Sequence, residues 1–126
     1  MNTIELEAKQ FMEERYGKMD MNEYQKNAVT TAVYPPQHKI LYPALGLAGE
    51  AGEVANKVKK IIRDGTSKLP DDWREQLASE IGDVLWYCAA LSEDLGYTLG
   101  RIAKENEVKL ASRKKKGTIH GSGDKR

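Results

Sequence analysis

Cysteine is almost absent: Cys88 is the single one in 126 residues, so no internal disulfide frames this chain. A lone thiol fits the reducing cytoplasm. Its place in an apolar run between Trp86 and Leu91 reads as a buried, inert group rather than a nucleophile. Histidine is scarce too, with only His38 and His120, which leaves little for an imidazole-based metal site. No apolar run approaches the ~20 residues of a membrane span. The opening segment, Asn2 to Arg15, is too charged to be the apolar core of a secretory signal. No window alternates polar and apolar over the length of a strand, and no fixed-period repeat is present. With strands excluded, the expected fold class is all-α.

Charge is plentiful, at 31% of residues, and mean hydropathy is −0.65. The net charge of +1 removes the whole chain as a nucleic-acid footprint. The distribution is uneven: residues 1–100 hold 11 Lys/Arg against 16 Asp/Glu (−5), and residues 101–126 hold 9 against 3 (+6). A basic end on an acidic body could serve RNA, DNA, a membrane surface or the phosphates of a small ligand. The length fits one domain, 1–126, with a modest core that a partner subunit would complete.

The apolar spacing predicts five helices. Ile4 to Arg15 carries Ile4, Ala8, Phe11 and Met12 on one side and stops at Gly17, forming an N-terminal extension over 1–18. Asn22 is the expected cap of a second helix to about Val33, ended by Pro35-Pro36. Pro43 is expected to open a third, from Ala44 to about Arg63. Pro70 or Asp71 starts a fourth, to Leu95, and Thr98 caps a fifth, to about Lys115. Residues 117–126 read as a flexible, basic, glycine-rich tail. Short connections point to antiparallel neighbours in a four-helix-type bundle.

Two helical segments repeat one pattern: Glu50-x-x-Glu53 in the third and Glu80-x-x-Asp83 in the fourth. Residues three apart differ by only about 60° around a helix, so each acid pair projects together. Both pairs flank their core stripes: Leu47, Val54, Val58, Ile61 and Ile62 in one helix, and Leu77, Ile81, Val84, Leu85, Cys88 and Leu95 in the other. Antiparallel packing would bring the four carboxylates face to face, where only cations make them tolerable. Hard oxygen donors without imidazole or thiolate select Mg²⁺ or Mn²⁺, and a di-iron bundle would need Glu-x-x-His pairs that are missing. One pair alone would read as a solvated helix face, and Glu53 with Lys57 as a surface ion pair worth about 0.3 kcal/mol. Gly49 and Gly52, each costing a helix about 1 kcal/mol, imply a close approach by a neighbouring helix or a ligand.

The double motif, in LGLAGEAGEVANKVKK and then in EIGDVLWY, with 26 residues between Glu53 and Glu80, resembles the MazG-type all-α nucleoside triphosphate pyrophosphohydrolases. The similarity runs from Asn22-Glu23-Tyr24-Gln25 through both acid pairs to Asn106-x-x-Lys109 and the KGTIHGSGD tail. It implies Mg²⁺-dependent cleavage between the α- and β-phosphates of (deoxy)nucleoside triphosphates, with dNTPs favoured, for control or cleaning of the nucleotide pool. It also implies a homodimer or homotetramer. Glu50, Glu53, Glu80 and Asp83 would hold the metal, with Glu53 as a candidate general base. Lys57 would contact phosphate or balance the acids, and Tyr87 would pack on sugar or base or sit half-buried at an interface. Asn106 and Lys109 would contact ribose and phosphate, with Arg113 a third contact or part of the solvated run to Lys116. Tyr24 and Gln25 would help read the base, and Trp73 and Trp86 could stack or serve the core. The rival expectation is a helical nucleic-acid-binding module using the basic C-terminal segment; that segment lacks interleaved aromatics, which speaks against it.

Overall fold

The computed structural model describes residues 2–126. Five helices and no strand are present among them: α1 Thr3–Tyr16, α2 Met21–Val29, α3 Leu41–Asp64, α4 Trp73–Leu95 and α5 Leu99–Lys116. The all-α expectation holds.

Several boundaries differ from the sequence expectation, each for a local reason. Asp20, not Asn22, caps α2, accepting from the Glu23 N–H at 2.8 Å. Asn22 instead accepts from Gly100 N–H at 2.9 Å, which caps α5 from across the fold. α2 ends at Val29 because the Thr30 and Thr31 hydroxyls bond back to the carbonyls of Asn27 and Ala28, competing with another helical turn. α3 begins before Pro43, which sits in its first turn, where no N–H is needed. The preceding Ile40 has φ 69° and ψ −56°, inside a tight turn closed by Leu41 N–H on the Lys39 carbonyl at 2.8 Å. A β-branched residue is strained there, and the Asp94 carboxylate holds it by accepting from Ile40 N–H at 2.9 Å. α4 begins at Trp73, later than Pro70 or Asp71. Gly96, left-handed at φ 80°, then turns the chain sharply into α5.

α3 and α4 pack along their length, and α2 lies across α4 and the start of α5. The fully buried cluster is small: Ala28 of α2, Ala89 of α4 and Leu99 of α5, with Tyr24, Trp86 and Cys88 packed against it. The expected core stripes are only partly covered in one chain. Ile62 is 80% exposed and Ile81 59%, with Val58 and Leu95 also exposed, because nothing among the described residues packs on the outer side of the α3–α4 pair. α1 buries none of its residues, so Ile4, Phe11 and Met12 face out. The residues after Lys116 fold back as turns: Arg126 donates to the carbonyls of Thr118 and Ile119, and Asp124 binds Lys109 at 2.7 Å.

Candidate functional site

The register of α3 against α4 builds the site. Gly46 of α3 meets the Tyr87 ring of α4, and a methyl group on Gly46 would overlap that ring. The Lys57 ammonium of α3 lies 3.7 Å from Glu80 Oε1 of α4. The helices are therefore antiparallel, and Glu50 falls opposite Asp83 and Glu80. Carboxylate oxygens of Glu50, Glu80 and Asp83 all lie within 4.8 Å of one another.

Glu50 is half-buried, and its carboxyl is pushed up, first by lost hydration and then by the charges of Asp83, Glu80 and Glu53 and a hydrogen bond with Glu80. Glu53 is exposed and stays outside the three-residue group, one turn along α3. Tyr24 borders the group from α2; burial, then Cys88 and Asp83, push its hydroxyl up. Burial likewise pushes up the Cys88 thiol, in keeping with an inert group. The donors are three hard oxygens without imidazole or thiolate, a set that fits a hard divalent cation.

Tyr87 is half-buried against Gly46, with its ring 6.4 Å from Tyr42 and 4.9 Å from Trp86. Tyr42 in turn stacks on Tyr34 at 4.8 Å, so an aromatic row leads away from the acids. Tyr42 and Tyr34 carry no helical periodicity that would mark them in the sequence; Gly46 does. It lies four residues before Glu50, as Tyr87 lies four after Asp83, and antiparallel helices bring such positions together. Gly49 and Gly52, by contrast, face open space within the chain, so the neighbouring helix makes its close approach at Gly46 rather than at either of them.

The family model for the MazG nucleotide pyrophosphohydrolase domain matches residues 38–118. The chain belongs to this family. Membership makes it a nucleotide pyrophosphohydrolase in general terms, and the match takes in both acid pairs and all of α3, α4 and α5. The matched span begins after α2, so Tyr24 and Gln25 lie outside it, as does the tail after Thr118. The "Gene 37 protein" of Mycobacterium phage L5 is 44% identical over 114 residues, covering 86% of this chain and 100% of that protein. No solved structure matches.

The remaining candidate residues of this MazG-family chain divide by placement. Gln25 is 3% exposed and its amide is fully engaged: it donates to Glu93 and to the Tyr97 carbonyl, and accepts from Leu99 N–H at 2.7 Å. These bonds satisfy the start of α5. Trp86 lines the core and donates its indole N–H to Thr31 Oγ1 at 2.8 Å, which is the core alternative of the two left open. Lys109 and Arg113 both pair with Asp124 of the tail. Arg113 is 7% exposed, so it does not belong to a solvated run. Asn106 is exposed on α5.

Proposed function

We propose that the protein hydrolyses nucleoside triphosphates, foremost dNTPs, between the α- and β-phosphates in a Mg²⁺-dependent reaction, releasing the monophosphate and pyrophosphate and so controlling or cleaning the nucleotide pool. The observation that carries this reading is the meeting of Glu50, Glu80 and Asp83 oxygens within 4.8 Å in a MazG-family chain. These three residues would hold Mg²⁺, with Mn²⁺ as a substitute. When bound, the cation supplies charge neutralisation for the phosphates and lowers the pKa of water. Glu53, exposed beside the group, either completes the metal-holding wall or orients the attacking water and takes its proton. The new P–O bond forms at the α-phosphorus, the bond to the bridging oxygen breaks, and pyrophosphate departs with that electron pair. Lys57, already 3.7 Å from Glu80, is placed to offset the charge of the leaving group. Tyr87 borders the acids and would pack on the sugar. Asn106 would contact the ribose from its exposed place on α5, whereas Lys109 and Arg113 would reach substrate only once Asp124 releases them.

The reading also includes assembly as a homodimer or homotetramer. The chain exposes 9775 Å², whereas a compact monomer of 14.1 kDa exposes about 6,700 Å². Ile62 and Ile81 lie on the uncovered side of the two acid-bearing helices, where a second copy would bury them. A cytoplasmic setting accords with the lone Cys88.

The test is a panel of NTPs and dNTPs with Mg²⁺, assayed for pyrophosphate, with Glu53→Gln and Asp83→Asn in parallel. Wild type is expected to release pyrophosphate and Asp83→Asn to lose about 100-fold or more. No pyrophosphate from any nucleotide, or orthophosphate in its place, would overturn the reading.

A further inference from the structure

A cavity of about 250 Å³ opens at the turn between α3 and α4, beyond the acid group. Apolar walls from Ile61, Leu69 and the Trp73 indole stand beside Lys57, Lys60 and Lys68. The acid among the lining residues, Asp64, is engaged by Arg63 through two hydrogen bonds of 2.7 and 2.9 Å, so a single acid, already bound by an arginine, stands among three lysines there. Arg74 lies over the Trp73 ring at 5.3 Å and steadies it. An aromatic plane beside a cluster of ammonium groups matches a ligand with a flat ring at one end and a phosphate at the other.

We propose that this cavity is a second nucleotide site, taking a nucleoside monophosphate with its base on Trp73 and its phosphate between Lys60 and Lys68. The volume lies just under the ~300–1,000 Å³ usual for small-ligand clefts. That is of the order of a nucleoside monophosphate. Lys57 faces both the cavity and Glu80. A phosphate in the cavity draws Lys57 away from Glu80 and slows turnover, so the monophosphate acts as an inhibitor that does not compete with triphosphate. This coupling rests on the function proposed above, whereas binding at the cavity does not.

The probes are deoxyadenosine monophosphate and inorganic phosphate, titrated into the full-length protein in EDTA and followed by calorimetry and tryptophan fluorescence. The monophosphate is expected to bind saturably and about tenfold tighter than phosphate. Lys60→Glu and Lys68→Glu weaken it by about tenfold or more, Trp73→Phe removes the fluorescence change, and Asp83→Asn leaves binding intact. With Mg²⁺ and triphosphate present, the monophosphate lowers kcat in wild type and not in Lys68→Glu, whose basal rate is unchanged. Absence of saturable binding overturns the proposal. So does binding lost in Asp83→Asn and kept in Lys68→Glu, which would put the ligand at the acids. Lysine-dependent binding in a protein that releases no pyrophosphate would sustain the cavity and sink the catalytic reading.

Discussion

At the scale of single residues, the acid pairs were legible because helical spacing of three fixes their common face before any fold is known. Which glycine brings the helices together was not legible, since that depends on the register of α3 against α4. Gly46 is the contact, and the Tyr87 ring occupies the space a side chain would need. Gly46→Ala is therefore expected to force Tyr87 aside, destabilise the fold by about 1–3 kcal/mol and weaken divalent-cation binding by widening the gap between Glu50 and Asp83. Thermal denaturation with a Mn²⁺ titration checks both effects; Gly49→Ala, in open space, should show neither. Tyr34 gives a pH-dependent counterpart. Burial first, then its hydrogen bond to Asp94 and that carboxylate's charge, push its hydroxyl up to about 12. A folded-state value above the usual 10 means the fold favours the protonated hydroxyl. This contribution is present in full below pH 10 and is lost as pH rises through about 12. An alkaline absorbance titration should show a late component near 12 that Tyr34→Phe removes.

At the scale of elements, periodicity located all five helices, and the expected Thr98 cap of α5 is present, whereas the cap of α2 was misplaced. Asn22 read as the cap of α2 and Gln25 as a base-reading group, because sequence shows only near neighbours. Folded, they serve the start of α5, more than seventy residues away, through Gly100 and Leu99 N–H groups. Helix starts leave N–H groups unsatisfied wherever they occur, and a side chain from another helix can meet that need as well as a local one. Gln25→Leu removes two donated bonds and strands the buried Leu99 N–H, with an expected cost of about 2–3 kcal/mol in denaturant unfolding. A change under a few tenths of a kcal/mol would show that the amide contacts carry no stability. The strained turn at Ile40 had no sequence signal either, since a β-branched residue is the last expected at positive φ.

At the scale of the molecule, the sequence pointed to a modest core for a partner subunit to complete, and one chain leaves Ile62, Ile81 and the α1 residues Ile4, Phe11 and Met12 exposed. The candidate site was legible as four acids, yet three of them converge, because Glu53 lies a turn beyond the point where α4 presents Glu80 and Asp83. The tail could not be placed from composition, since glycine-rich basic ends look alike whether free or clasped; here Asp124 ties it to Lys109 and Arg113. Sedimentation equilibrium is expected to give a dimer or tetramer, and Ile62→Lys with Ile81→Lys should shift it to monomer with loss of turnover. A wild-type monomer with full activity would separate the site from assembly.

The central claim is that a divalent cation held by Glu50, Glu80 and Asp83 promotes attack of water on the α-phosphorus of a triphosphate. Hydrolysis of a dNTP in ¹⁸O-labelled water with Mg²⁺, read by mass spectrometry, tests it most directly. The expected result is one ¹⁸O in the nucleoside monophosphate, none in the pyrophosphate, and about 100-fold less or lower still of either product from Asp83→Asn. Label in pyrophosphate or orthophosphate, or undiminished turnover in Asp83→Asn, would contradict it.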